Sequence, residues 1–310
     1  MTEEIYVSVV ISTYNPDRDR LSRTIEGLKS QTLSLNDWEL IIIDNNSTNN
    51  ILNTIDFSWH KNSKVAYQRE PGLTYARLKG FSEAKSNIIV MVDDDNILRE
   101  NYLVETLEIF KKSPNLGAIG GKSLPIFESN PPTWLEPFYE KLAIRDLGNQ
   151  SIIEQWANKY PEFAPIGAGM CIRKKALDSY IDKITLGKGI ISDRKGSSLS
   201  SSGDNDIVLE ILKSGWGTAY YPSLVLHHII PEKRFSVEYL SRLANDSSIS
   251  WIQLLECHGI SPWNKISKWT VPLRKFKAWF IYNAWLSKVN YIKWRGACGM
   301  YDALSSKSLF

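Results

Sequence analysis

The sequence has little cysteine, and the cysteines that it has are not spaced as pairs. There are three, Cys171, Cys257 and Cys298, and no CxxC motif occurs. An odd number of widely separated cysteines is not the pattern of a disulfide framework or of a zinc ribbon. The sequence therefore predicts a protein of a reducing compartment.

Long apolar runs are also absent. The nearest candidate, "AWFIYNAWL", is lysine-flanked and about half as long as the roughly 18 to 20 apolar residues that cross a bilayer. The amino terminus, "MTEEIYVSVVIS", carries acids where a secretory signal carries bases. We expect a cytoplasmic protein whose contact with a membrane, if it has one, is peripheral and on the inner face.

The chain has no strong excess of charge of either sign. Lys and Arg number 37 and Asp and Glu 34, a net charge of +3, which does not by itself indicate a nucleic-acid partner. No GxGxxG follows the first apolar run and no GxxxxGK[ST] occurs, which argues against a dinucleotide fold and a P-loop. The 310 residues, 43% apolar and 23% charged, have the composition of a globular protein.

The first half of the chain alternates short apolar runs with amphipathic stretches. Val7 to Ile11, Leu40 to Ile43 and Ile88 to Val92 are rich in Val and Ile, and "DRLSRTIEGLKSQ" and "LTYARLKGFSEAK" between them have helical periodicity. Parallel strands that are buried on both faces have this character. We predict an α/β fold with a mixed, mainly parallel sheet flanked by helices.

Polar side chains follow each of these three runs, at Ser12 to Asn15, Asp44 to Asn46 and Asp93 to Asp95. In an open α/β sheet, ligands bind in the crevice beyond the carboxyl ends of the strands. Three adjacent carboxylates repel one another unless a cation compensates, and a pair facing one cleft suits Mg²⁺ or Mn²⁺. The sequence therefore predicts a divalent-cation site that takes a phosphate-bearing ligand.

An alternative explains the aspartates without a ligand. Acids at the start of a helix are favourable, and "ILRENYLVETLEIFKK" follows them with helical periodicity. Strand alternation, if it continues through the motif, places Asp93 and Asp95 on one side and Asp94 on the other.

The second half is less regular up to about Gly203, with six prolines between 125 and 165 and a serine-rich stretch at 195–203. A helix is predicted in "DNDIVLEILKSG" and a strand in "AYYPSLVLHH". From Ser261 to the end, nine Lys or Arg stand against one acid, Asp302, and six of the eleven tryptophans lie between 251 and 294. We place a boundary near residue 235, between a domain at 1–235 and a basic, Trp-rich, mainly helical extension at 236–310.

Seven motifs in order resemble those of the family 2 glycosyltransferases of the GT-A fold. They cover roughly residues 5 to 235 and read "VSVVISTYNPD", "WELIIIDNNST", "REPGLTYARLKGF", "IVMVDDDN", "GAGMCIRKKAL", "SGDNDIVLEILKSGW" and "YYPSLVLHH". The resemblance implies an inverting, metal-dependent enzyme that uses a nucleoside-diphosphate sugar. It favours a UDP-sugar donor, a saccharide or lipid-linked saccharide acceptor, and a part in making polysaccharide or envelope glycan.

The same resemblance implies roles for individual residues. The second DxD aspartate, Asp95, would hold Mn²⁺ or Mg²⁺. The donor nucleotide would be bound by residues at the ends of the strands and in the elements that follow them: Thr13, Tyr14, Asn15, Asp44, Arg77, Asp93, Asp94 and Arg234. Read without the family, Tyr14 is a packed turn residue, Arg77 a charge on a helix surface, and Arg234 an exposed loop charge.

The catalytic base implied by the resemblance is Asp204. The family usually has Glu-Asp here, and this chain has Gly203 in place of the Glu. Asp206 is a rival base, and helix capping is the alternative role for Asp204. His227 is favoured over His228 as a further metal ligand, and because neighbours on a strand face opposite ways, at most one enters the site. A packed structural histidine is the alternative.

Two other functions remain open at this point. A nucleotidyltransferase shares the sheet and the aspartates, but "STYNPDRDR" lacks the glycines that would hold a triphosphate. A non-catalytic saccharide-binding or scaffold protein is compatible with the loss of the Glu at position 203. The extension suits an anionic membrane surface, with a helical lid packed through its tryptophans, or a contact between subunits, as alternatives.

Overall fold

The structure is a computed structural model, and it describes residues 5–187, 199 and 202–306. Most of the serine-rich stretch predicted as an irregular loop at 195–203 lies outside these residues, as do the first four and the last four residues.

The described residues contain nine strands, which join in one sheet. Their bounds are β1 (Val7–Thr13), β2 (Trp38–Asp44), β3 (Ser63–Tyr67), β4 (Ile88–Val92), β5 (Asn96–Leu98), β6 (Leu116–Phe127), β7 (Ile152–Glu154), β8 (Cys171–Arg173) and β9 (Gly217–Ile230).

Eight α-helices accompany them in the same part of the chain. They are α1 (Arg18–Lys29), α2 (Leu73–Glu83), α3 (Tyr102–Lys112), α4 (Asp178–Thr185), α5 (Gly203–Lys213), α6 (Val237–Cys257), α7 (Val271–Ile281) and α8 (Lys288–Ser305).

The sheet is mixed, in the order β3-β2-β1-β4-β8-β6-β9-β5, with β7 paired to β9. Strands β1, β2, β3 and β4 run parallel, as the βαβ rhythm of the first half predicts. The long strands β6 and β9 are also parallel, and the short strands β5, β7 and β8 are antiparallel to their neighbours. The predicted fold class is confirmed.

The parallel strands are buried on both faces. Along β1, Val9 and Ile11 pack into the core that contains residues of α1 and α3, and Val10 packs into the core that contains residues of α2 and α5. Leu40 and Ile41 on β2 divide in the same way. Two-sided burial is the physical reason why these strands appear in the sequence as apolar runs rather than as alternating patterns.

The helical extension is anchored on the sheet domain. Phe235, Leu240 and Leu243 pack with Leu135 and Phe138 in a third core. Helix α8 packs along α6, and α7 is tied to α8 by the Trp294 indole, which donates to the Lys275 carbonyl at 3.0 Å. The boundary predicted near residue 235 therefore falls just before α6, and the division into two domains stays a prediction.

Candidate active site

A cleft of about 830 Å³ opens at the carboxyl ends of β1, β2 and β4. Side chains from both halves of the chain line it. The strand ends and α2 contribute Thr13, Tyr14, Asn45, Asn46, Arg77, Asp93, Asp94 and Asp95, and later elements contribute Asp204, Asn205, His228, Arg234, Tyr239 and Trp251.

All three aspartates line this cleft, because β4 ends at Val92 and the chain turns there. The Asn96 N–H donates to the Asp93 carbonyl at 3.1 Å, which closes the turn, so strand alternation does not continue and Asp94 does not face away. Strand β5 follows the turn and α3 begins only at Tyr102. The helix-capping explanation of the aspartates is therefore wrong.

The three carboxyl groups disturb one another electrostatically. Burial and the neighbouring charges of Asp95 and Asp93 raise the pKa of Asp94 to about 7, although the Thr13 hydroxyl, which hydrogen-bonds to its carboxylate, works in the opposite direction. A cation between these groups would relieve that repulsion.

Asp95 is buried and contacts two basic side chains. Its Oδ2 accepts from the Arg234 guanidinium at 3.0 Å and lies 3.5 Å from His228 Nε2. Arg234 also lies 3.0 Å from the same imidazole nitrogen. Since a guanidinium can only donate, His228 Nε2 accepts there, which leaves the proton of a neutral ring on Nδ1. Arg234 is thus not an exposed loop charge.

The histidine of the cleft is His228, and the prediction of His227 is wrong on this geometry. In the described sheet β9 pairs with β5 so that His228 lies opposite Asn96 and His227 opposite Ile97. His228 is buried and lines the cleft, and His227 faces the other way along the strand.

The donor atoms at this end of the cleft fit a divalent cation. Asp93, Asp94 and Asp95 offer hard carboxylate oxygens, and His228 Nε2 lies 3.5 Å from Asp95 Oδ2. Oxygen donors with one imidazole suit Mn²⁺, and oxygen donors alone suit Mg²⁺. Arg234 supplies the positive charge beside Asp95 in this structure.

The remaining nucleotide-binding candidates differ in position. Thr13 and Tyr14 line the cleft, and Tyr14 is 55% exposed in it, so its role is not turn packing. Asp44 ends β2 next to Thr13 and accepts from the Ser47 N–H at 2.9 Å. Asn15 accepts from the Thr48 N–H at 2.7 Å, which ties the two strand-end loops together. Neither Asp44 nor Asn15 is part of the cleft lining.

Asn45 is a cleft residue that sequence reasoning did not single out. Its amide donates to the carbonyls of Gln68 and Glu70 at 3.1 and 2.7 Å, and its Oδ1 accepts from the Gly72 N–H at 2.8 Å. These bonds fix the loop before α2, where Gly72 has a φ of 139°. An Asn directly after a buried strand was the available signal.

Arg77 and Asp204 approach each other around Gly167. A Cβ atom on Gly167 would lie 3.0 Å from both Arg77 Nη2 and Asp204 Oδ2. The Gly167 N–H donates to Asp204 Oδ2 at 2.8 Å, and Oδ1 accepts from the Asn205 N–H at 3.0 Å. Arg77 is only 6% exposed, so it is not a surface helix charge. Asp204 lies in the first turn of α5, whose N-cap is Ser202.

Asp206, the rival base, points away from the cleft. Its carboxylate lies 2.5 Å from Lys183 Nζ and 2.7 Å from His258 Nε2. Asp206, Glu210 and His258 are close enough to hold a metal ion, but Lys183 Nζ lies 3.3 Å from Glu210 and 3.4 Å from His258 as well. The Lys183 ammonium occupies the position that a metal ion would take, and this cluster stabilises α5.

Helix α6 forms a wall of the cleft that the sequence did not reveal. Tyr239, Ser247 and Trp251 project from α6, and residues 140–143 add to the same wall. Trp251 packs edge-to-face on Tyr160 at 4.8 Å between ring centroids, and the Tyr160 hydroxyl donates to Asn205 Oδ1 at 2.6 Å. The helical extension is therefore part of the site, beside the residue that follows Asp204.

Sequence comparisons identify related proteins. The sequence model of glycosyl transferase family 2 matches residues 8–180. The chain is 25% identical over 158 residues to the glucosyl-dolichyl phosphate glucuronosyltransferase of Haloferax volcanii, covering 50% of each protein. It is 33% identical over 119 residues to the poly(ribitol-phosphate) β-N-acetylglucosaminyltransferase TarP of Staphylococcus aureus, covering 37% of this chain and 36% of TarP. The matches span half or less of these relatives.

Similarity in fold to a solved structure extends over nearly the whole chain. The structure of residues 1–349 of S. aureus TarS in complex with UDP-GlcNAc aligns with a TM-score of 0.55 and 13% identity. The alignment covers 97% of this chain and 90% of that one. At this identity the comparison shows similarity of fold alone. The aligned region includes the C-terminal helices as well as the sheet.

Proposed function

Because the chain belongs to glycosyl transferase family 2, we propose that it transfers a sugar from a nucleoside-diphosphate sugar, a UDP-sugar in preference, to a saccharide or lipid-linked saccharide. A role in the synthesis of polysaccharide or envelope glycan follows from such acceptors. The observation that carries the proposal is that one cleft is lined both by the Asp93 to Asp95 turn and by Asp204. The cytoplasmic location stays a prediction of the sequence.

The nucleotide half of the donor is proposed to lie at the strand ends. Thr13, Tyr14 and the Asp93 to Asp95 turn would face its ribose and base, with Asp44 and Asn15 holding the loops behind them. TarS, whose fold this chain shares, has been solved with UDP and with UDP-GlcNAc. Arg234 supports the placement of the diphosphate, because its guanidinium lies 3.0 Å from Asp95 Oδ2 at the end of the Asp93 to Asp95 turn and can bind phosphate oxygens in a bidentate manner.

The chemical step requires a base on the acceptor side, and we assign it to Asp204. Its carboxylate takes the proton of the acceptor hydroxyl, the hydroxyl oxygen attacks the anomeric carbon, and the bond to the diphosphate oxygen breaks. A single in-line displacement inverts the anomeric configuration. The Gly167 and Asn205 N–H groups hold the two carboxylate oxygens in place, which supplies the orientation that Gly203 cannot.

Asp95, His228 and the outer aspartate Asp93 are the residues that would hold Mn²⁺ or Mg²⁺. The bound cation would offset the charge that develops on the leaving nucleoside diphosphate. Arg234 would then have to leave Asp95 and turn to the diphosphate, a movement that keeps its charge within the same part of the cleft.

The acceptor side of the cleft is proposed to be the α6 wall. A sugar ring has apolar C–H faces and hydroxyl edges, and Trp251 with Ser247 and Ser248 offers one surface for each. The base Asp204 and its neighbour Asn205 adjoin this wall. The saccharide class of the acceptor rests on this surface, and the lipid-linked form rests on relatives such as the dolichyl phosphate enzyme.

A donor panel tests the proposal. The protein is incubated separately with UDP-glucose, UDP-GlcNAc, UDP-glucuronic acid or GDP-mannose, with and without saccharide acceptors. Each incubation contains Mn²⁺, Mg²⁺ or chelator, and release of the nucleoside diphosphate is followed. We expect one donor to be turned over with metal and not with chelator. Binding of nucleotides without turnover of any donor, with and without saccharide acceptors, would favour the scaffold alternative.

A further inference from the structure

The large apolar side chains that remain exposed are concentrated in one region of the described chain. Sixteen such residues are exposed, and nine of them lie between Trp263 and Leu286. Trp269 is 81% exposed and Leu273 67%. Scattered exposed apolar residues are ordinary on a soluble protein, but a contiguous group is typical of a binding surface.

Helical geometry places three of these side chains on one face of α7. Val271 and Ala278 on α7 are buried, while Leu273, Phe276 and Phe280, spaced i, i+3 and i+7, project from the other side. The Phe276 and Phe280 rings are 5.1 Å apart, and Phe280 is 5.6 Å from Trp285. We call the side chains Trp269, Leu273, Phe276, Phe280 and Trp285 the aromatic face.

Positive charge surrounds the aromatic face. Between residues 261 and 306 there are eight Lys or Arg and one acid, Asp302. Lys275 pairs with that acid and Lys265 with Glu256 on α6. Within the described residues, Lys268, Arg274 and Lys277 have no ion-pair partner, and all three are exposed and directly follow or precede a residue of the aromatic face in the sequence. The charge around the face is therefore uncompensated by the protein itself.

We infer that the aromatic face docks on the surface of an anionic lipid bilayer, with α7 lying in the plane of the headgroups. Trp and Phe rings are stable at the boundary between headgroups and acyl chains, and nearby Lys and Arg gain from anionic lipid. No described helix has the length and hydropathy that a crossing of the membrane demands. This inference rests on the aromatic face and on the cations around it, and it does not depend on the transferase activity.

Charge decides between lipid and the other surfaces that could cover the face. A second copy of the chain, packed face to face, would bring the unpaired Lys268, Arg274 and Lys277 of one copy against those of the other. A soluble polyanion would match the charge but leave the aromatic rings in water. An anionic bilayer satisfies both the apolar and the cationic side chains.

The test is binding to vesicles. Vesicles of phosphatidylcholine alone, and of phosphatidylcholine mixed with phosphatidylglycerol, are sedimented with the full chain. We expect binding to the mixed vesicles that weakens as salt is raised. The double variants Phe276→Ser/Phe280→Ser and Arg274→Glu/Lys277→Glu should each lower the partition coefficient by about tenfold or more.

Matched variants elsewhere on the surface serve as controls. Leu186→Ser/Ile153→Ser removes two exposed apolar side chains, and Lys111→Glu/Lys112→Glu makes the same charge change on α3. Both should bind vesicles as the wild type does. The inference is overturned if the wild type does not bind anionic vesicles, or if these controls lose binding equally. It is also overturned if the wild type is a dimer that Phe276→Ser/Phe280→Ser converts to a monomer without any lipid binding.

Discussion

Replacing Asp204 with asparagine is expected to slow sugar transfer about a thousandfold while leaving the affinity for the nucleotide unchanged. The amide keeps the shape of the side chain and can still accept from one of the two N–H groups, of Gly167 and Asn205, that bond the carboxylate. It cannot take a proton from the acceptor hydroxyl. Turnover is measured as release of the nucleoside diphosphate in the presence of acceptor, and affinity by titration calorimetry.

Asp206→Asn is the matched control, since the two aspartates share the first turn of α5. Asp206 is bonded to Lys183 and His258 away from the cleft, so this variant should lose stability and keep its turnover per folded molecule. If Asp206→Asn abolished turnover and Asp204→Asn did not, the assignment of the base would be reversed.

Replacing Lys183 with methionine is expected to lower the free energy of unfolding by about 3 to 5 kcal/mol. The change leaves the buried Asp206 and the half-buried Glu210 without the ammonium that lies 2.5 and 3.3 Å from them. Methionine keeps the length of the side chain, so the loss reports the charge rather than a cavity. Urea unfolding at neutral pH measures it.

The pH dependence of this contribution follows from the direction of the lysine shift. Burial acts against the charged form, but Asp206, with smaller contributions from Cys257 and Glu210, outweighs it and raises the pKa of Lys183 above its ordinary value of 10.5. A raised lysine pKa adds stability that is complete below that ordinary value and is lost as the pH rises through the raised one. The wild type should therefore keep the whole difference over Lys183→Met at neutral and acid pH, until the carboxylates protonate.

Lys111→Met, on the exposed surface of α3, is the control for removing a lysine charge. Surface substitutions of this kind change stability by roughly 0.5 kcal/mol or less. Equal urea midpoints for Lys183→Met and the wild type would mean that the cluster contributes nothing to stability, and that the metal-like arrangement of Asp206, Glu210 and His258 needs another explanation.

The parts of the fold that could be predicted are those in which local pattern and burial agree. Strands β1, β2 and β4 lie at the predicted positions because burial on both faces leaves a continuous apolar run. Helices α1 and α2 lie between them, with one buried side each. The strand-end aspartates could be placed in a cleft because the carboxyl ends of neighbouring parallel strands meet at one edge of the sheet.

Strand β6 could not be predicted, although it lies near the middle of the sheet. Its sequence contains Gly117, Gly120, Gly121 and Pro125, which locally favour turns. The glycines are required by close approach: a Cβ on Gly121 would lie 1.9 Å from the Leu224 carbonyl oxygen of β9, and the register shifts between Gly120 and Lys122. The close packing of β6 against β9 therefore overrides the local preference for turns, and no local sequence pattern predicts that packing.

The errors within the site have the same origin. His228 rather than His227 enters the cleft because of the pairing of β9 with β5, a register that spacing from "YYP" does not fix. The α6 wall, with Trp251, follows from packing of the helix beside the 140–143 segment. In the sequence, α6 has the pattern of an ordinary amphipathic helix, which does not indicate a role in the cleft.

The central claim is that Asp95 and its neighbours form a metal-assisted nucleotide site, and calorimetric titration tests it directly. UDP and GDP are titrated with and without Mn²⁺ into the wild type, Asp95→Ala and the surface control Glu100→Ala. We expect one nucleotide, UDP, to bind in a Mn²⁺-dependent manner to the wild type and to Glu100→Ala, and at least about tenfold more weakly to Asp95→Ala. Binding of neither nucleotide to the wild type under any of these conditions would contradict the account.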